Sequence, residues 1–177
     1  MSSIEYYFEL YVASFIMWSF LMVFLFNLVK KSEFPMGDTA LMAVSLTIFL
    51  FYLFSDLLII TVLGFDILHS SATYLFWFSS NLVCLLIILR LTNGAHLGKL
   101  TAKLYVIVGL TVNMLLFLVM HVDINVLLHY EHWWFWTFYS ITVNVMDVMM
   151  IVALLTNKDF LGLLRCYRWG FETKQSA

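Results

Sequence analysis

Two carboxylates lie inside long apolar runs of this chain, Asp56 and Asp147. An acid at the centre of a membrane helix costs about 2.5–3.5 kcal/mol on insertion scales, so each must face protein, water or a partner. Asp147 ends a stripe: Trp133, Thr137, Ser140, Asn144 and Asp147 recur every three to four residues and share one helix face. Such a stripe faces a neighbouring helix, a water-filled cavity, or the same stripe of another copy. Ser45, Tyr52 and Asp56 form a thinner version on an earlier run, and Asn81 and Asn113 add amides near mid-depth. The chemistry this predicts is a hydrated path for protons or a cation. Asp56 and Asp147 would be its outer and inner stations, with Asn144, Ser140 and Asn113 along it. The plainer reading is packing, since interhelical hydrogen bonds contribute about 0.6 kcal/mol each in a membrane.

A second cluster mixes histidines and acids. His129 and His132 stand one helical turn apart, His121 and Asp123 close the preceding apolar run, and Asp66 and His69 follow the second. Neutral imidazoles with a carboxylate suit zinc or copper, and His69, His121, Asp123 and His129 would supply four ligands, with His132 in reserve. Haem would need two facing histidines at similar depth. The spacing matches no established metal motif, so the expectation is no cofactor and an ordinary, pH-responsive membrane boundary. Trp133, Trp134 and Trp136 beside it read as interfacial anchors.

No nucleophile elbow, zinc-protease helix, phosphate-binding loop or dinucleotide fingerprint occurs. Asp56 and Asp147 fall in opposite halves of the hydrocarbon, too far apart for a shared-proton dyad. An enzyme is not expected. No inverted repeat is visible either, and an odd number of spans argues against a simple two-repeat transporter.

The elements that must hold these residues are membrane helices. The chain is 63% hydrophobic and 11% charged, with a mean hydropathy of +0.96, outside the range of soluble domains. Five apolar runs approach or exceed the ~20 residues a span needs: 7–29, 40–65, 73–91, 104–122 and 133–155. The joints are short, so 1–177 is read as one all-α, polytopic membrane domain with five transmembrane helices. The acidic beginning (Glu5, Glu9) and the length of the first run make it a permanent span rather than a cleaved signal.

All nine Lys and Arg residues fall on one side if the spans alternate, whereas four of the five histidines fall on the other. The positive-inside rule then puts the N-terminus outside and the C-terminus, with 156–177, in the cytoplasm. Within that tail, 160–169 mixes bulky apolar and basic residues in the manner of an interfacial helix. Neither Cys84 nor Cys166 belongs to a paired motif, and no Asn-x-Ser/Thr acceptor is present, which fits a bacterial cytoplasmic (inner) membrane. A net charge of −2 gives no basic footprint for nucleic acid.

The function expected from these features is a non-enzymatic, homo-oligomeric, channel-like subunit in the lipid bilayer, carrying protons or cations. The alternative is a membrane sensor or anchor whose Arg165 and Arg168 hold a cytosolic protein partner. A third reading is a metal- or haem-binding membrane subunit.

Overall fold

A computed structural model describes residues 3–33, 38–63, 71–93, 100–129, 133–167 and 169, without the side chains at 3–10, 13, 56–63, 71 and 72. The described residues form five long helices and no strand: α1 (Ser3–Glu33), α2 (Thr39–Leu63), α3 (Ser71–Leu91), α4 (Thr101–Asn125) and α5 (Trp134–Thr156). A chain in hydrocarbon must satisfy its own backbone polar groups, and helices do this within one segment. The single proline, Pro35, lies outside all five helices, so none loses a rung to it.

Four helices contain stretches long and apolar enough to cross a membrane, as a multi-pass membrane protein requires: Ser14–Glu33, Thr73–Leu91, Thr101–Asn125 and Trp134–Thr156. In α2 the apolar segment Thr39–Ser55 is described. The outward faces are apolar too. Phe15, Trp18 and Met22 on α1 and Phe138, Ile141 and Val145 on α5 are all exposed, the pattern of a lipid-facing surface.

The helices close into a ring. Each packs on its neighbour in sequence, α1 returns to α5, and α2 touches α4 across the middle. Short joints make successive helices neighbours, and the α1–α5 contact closes the circle. Two cores fill it. One joins all five helices around Phe20, Ile48, Ile88, Tyr105 and Met150. The other, at the opposite end, is an aromatic cluster of α3, α4 and α5 around Tyr74, Phe117 and Met120, backed by Trp77 and Tyr139.

Helix ends outrun the apolar runs where caps hold them. The Asp38 carboxylate accepts the Ala40 and Leu41 N–H groups at 3.1 and 3.3 Å, which starts α2 one residue before the run. Helix α4 starts at Thr101, before the apolar run at Leu104, because its cap comes from far along the chain. Asn157 closes α5 in a left-handed conformation (φ 49°), and its Oδ1 accepts the Ala102 N–H at 3.0 Å. Beside it Lys103 Nζ donates to the Thr92 carbonyl at 2.9 Å, tying α4 to the end of α3.

Candidate functional site

Asp147 sits between the two cores, with only 4% of its surface exposed. The Tyr52 hydroxyl of α2 donates to its Oδ1 at 2.5 Å, and the Asn113 amide of α4 donates to the same oxygen at 2.9 Å. Three helices thus meet at one carboxyl. Asn113 is itself buried, and among the described residues its Oδ1 has no hydrogen-bond partner. Packing holds Tyr52 in place, with the Phe20 ring centroid 4.6 Å from its own.

Asp147 and Tyr52 line one end of a cavity of about 170 Å³ inside the ring. Trp77, Phe117 and Tyr139 line it as well. These three are stacked edge to face or tilted, with centroids 5.5 and 6.0 Å apart. Tyr139 precedes Asp147 by eight residues on α5, roughly 12 Å along the axis. Between them lie Ser55 and Ser80, whose hydroxyls are hydrogen bonded at 2.7 Å, together with Cys84 and Asn144. The cavity therefore has a carboxyl end and an aromatic end.

Past Asp147, towards the C-terminus of α5, the ring is closed. Met150 is fully buried, and a Cβ added at Gly109 would meet its Cγ and Sδ at 2.7 Å. Gly109 lets α4 and α5 approach this closely, and Ala153 and Leu154 continue the dry packing below.

The stripe predicted on the fifth run divides along its length. Asp147 is buried by helices of its own chain and Asn144 lines the cavity, but Ser140 is half-buried and Thr137 and Trp133 are exposed. The helix is rotated so that Tyr139 and Val143 share the inner face with Asp147. Burying Asp147 therefore needs no second copy. The Asn144 amide donates to the Ser140 carbonyl at 2.7 Å, and that of Asn81 to the Trp77 carbonyl at 3.0 Å, both within their own helices. Ser45 likewise bonds back to Met42 of its own helix. Asp56 lies on α2, but its side chain is outside the described residues.

At the end of α4 the described part of the histidine and acid cluster is held by hydrogen bonds. Asp123, 3% exposed, accepts from Trp133 Nε1 at 3.1 Å and Trp136 Nε1 at 3.3 Å and pairs with His129 Nδ1 at 2.9 Å. His121 turns instead to Asn125, 2.9 Å away. Among the described residues no three His, Cys, Asp or Glu side chains converge on a point. His69 and His132 lie outside the described residues. The two indoles expected as membrane anchors are thus also hydrogen-bond donors that latch α5 to α4. Leu128, at φ 55°, marks the tight turn that brings the His129 N–H back to the Asp123 carbonyl.

The opposite end carries a junction that sequence patterns did not single out. Asp159 accepts the Tyr105 hydroxyl at 2.6 Å and the N–H groups of Leu164 and Arg165 at 3.3 Å each. The Tyr105 hydroxyl, hydrogen bonded to it, and the two amides hold the Asp159 carboxyl below its ordinary value. Phe160 stacks on Tyr105 at 4.8 Å. Within 160–169 a short helical turn covers 163–167, and Arg165 on it is exposed. Arg168 lies outside the described residues. Asn157 was open to recognition as a left-handed helix stop, but nothing in the spacing of Tyr105 and Asp159 announces their pairing.

No protein-family model matches this chain, and no curated protein or solved structure matches it.

Proposed function

We propose that this is a five-span membrane protein, N-terminus outside and C-terminus in the cytoplasm, that passes protons or small cations through the interior of its helix ring. Asp147 is the inner station of that path and Asp56 the outer one, with Asn144 and Asn113 alongside. The observation that carries this reading is the buried Asp147 carboxyl, gripped by Tyr52 and Asn113 at the end of a cavity lined by all five helices. A carboxyl this costly to bury is retained in membrane helices chiefly for function.

Its neighbours suit a group that changes charge. An ionised Asp147 takes N–H and O–H donors, which is the arrangement of Asn113 and Tyr52. A protonated Asp147 has an O–H to donate, and a 180° turn of the Asn113 amide presents its Oδ1 as the acceptor. One side chain thus serves both states. Passage towards the α5 C-terminus requires Met150 to leave Gly109, which its flexible thioether chain allows. The ring resembles a gated site more than an open pore. Residence in a bacterial inner membrane and assembly with further copies belong to the same reading.

The test is proton and cation flux into liposomes bearing the purified protein, beside the Asp147→Asn variant. Flux lost in a variant that keeps its helicity and oligomeric state supports the path. Equal flux in both proteins refutes it. The sensor or anchor reading draws on one observation, the exposed Arg165 on a turn secured by Asp159. It predicts a cytosolic protein that releases when Arg165 and Arg168 are replaced by glutamine.

A further inference from the structure

The cavity constrains the cation more tightly than the path does. We infer that the ion taken at Asp147 is a small organic ammonium, a primary amine cation of about six to eight non-hydrogen atoms, with its head on the carboxyl and its apolar body against Trp77, Phe117 and Tyr139. This rests on the reading of Asp147 as a cation station, and names the class of cation.

Size comes first. A cavity on the order of 150 Å³ holds a molecule the size of benzene, and this one measures about 170 Å³. Its volume matches a small molecule rather than a drug-sized ligand, which needs roughly 300 Å³ or more. A lone proton needs no cavity of this size.

The chemistry of the walls favours an ammonium head over a dehydrated divalent metal cation. Hard cations need about six or more oxygen ligands at short range, whereas Asp147 supplies the one carboxylate among the described lining residues. An ammonium head makes smaller demands. Its N–H donors match the carboxylate and the Ser55 and Ser80 hydroxyls. The aromatic end, roughly 12 Å from Asp147 along α5, suits the hydrocarbon part. A charged head and an apolar body on one short molecule match the two ends of one short cavity.

Benzylammonium and pentylammonium are the probes, with benzyl alcohol and pentanol as uncharged isosteres and dibenzylammonium as an oversized one. Binding is followed in detergent by thermal stabilisation and by the fluorescence of the tryptophans, of which Trp77 lines the cavity. The expected result is saturable binding of the two small ammonium ions, at least tenfold weaker for the alcohols and for dibenzylammonium. Asp147→Asn should weaken the ammonium ions at least tenfold and leave the alcohols unchanged. Alcohols binding as tightly as their ammonium counterparts, or dibenzylammonium binding as tightly as benzylammonium, overturns the inference. Both comparisons use the unaltered protein and stand even where Asp147→Asn fails to fold. Proton flux without ammonium binding sinks this inference and leaves the path intact, whereas ammonium binding without flux of any ion sinks the path and leaves the site.

Discussion

The Tyr52–Asp147 hydrogen bond can be isolated energetically, because Tyr52→Phe removes the hydroxyl and keeps the ring packed on Phe20. Interhelical hydrogen bonds in membranes average about 0.6 kcal/mol and reach about 1.7 kcal/mol. A 2.5 Å contact to a buried carboxyl belongs near the upper value, so Tyr52→Phe should cost about 1.5 kcal/mol. That is roughly tenfold in the unfolding equilibrium. Asp147→Leu is harder to sign. It strands the Tyr52 and Asn113 donors, at about 1–3 kcal/mol each, but removes a carboxyl that costs about 2.5–3.5 kcal/mol to insert. The coupling between the two changes is free of that ambiguity. The double variant pairs two apolar groups and leaves no stranded hydroxyl, so the cycle should return the bond plus that recovered penalty, about 2.5–4.5 kcal/mol. Equilibrium unfolding in mixed micelles, followed by tryptophan fluorescence and circular dichroism, measures all four proteins. Additivity within about 0.3 kcal/mol would refute the three-helix grip on Asp147.

Three further outcomes follow from the packing and the caps. Gly109→Ala should destabilise the protein by about 1–3 kcal/mol by overpacking, since the new Cβ meets Met150 at 2.7 Å; the same unfolding assay should show that increment vanish when Gly109→Ala is made in a Met150→Ala background. Asn157→Ala removes the Ala102 cap and puts a Cβ-bearing residue without a polar side chain at φ 49°, for about 1–2 kcal/mol, and Asn157→Gly, which tolerates that φ, should cost less. Asp159 is held below its ordinary value in the folded protein, so the unfolded chain takes up its proton first as pH falls. Its stabilising contribution is present above about pH 4 and is lost as pH drops through the lowered value. Unfolding measured from pH 6 to pH 3 should therefore show a shallower acid limb in Asp159→Asn.

Much of the architecture is legible in one dimension. A bilayer admits only segments that satisfy their own backbone, so the five apolar runs correspond to five helices whose ends shift by a few residues at most. The starts of α2 and α4 trace to caps, and the one that extends α4 is supplied by Asn157, 55 residues away. The cost of burying Asp147 was equally visible, and with it the expectation of a polar neighbour. Its partner was not. Tyr52 is 95 residues from Asp147, and the stripe rule chose Thr137 and Ser140 as its company. Spacing defines a face, but not how far the helix turns about its axis when it docks.

The histidines show the same limit. The turn at Leu128 gives Asp123 to two indoles and one imidazole and sets His121 beside Asn125, partners that residue types do not name. Composition establishes, through the energetics of transfer from water, an all-helical chain built for a membrane, and the excess of cations on one side is the ground for the sidedness proposed for it. Which side chains share the interior was decided by closure of the ring. Closure sets each helix's rotation and brings one tyrosine, one asparagine and one aspartate to a single oxygen, and no local pattern encodes that rotation.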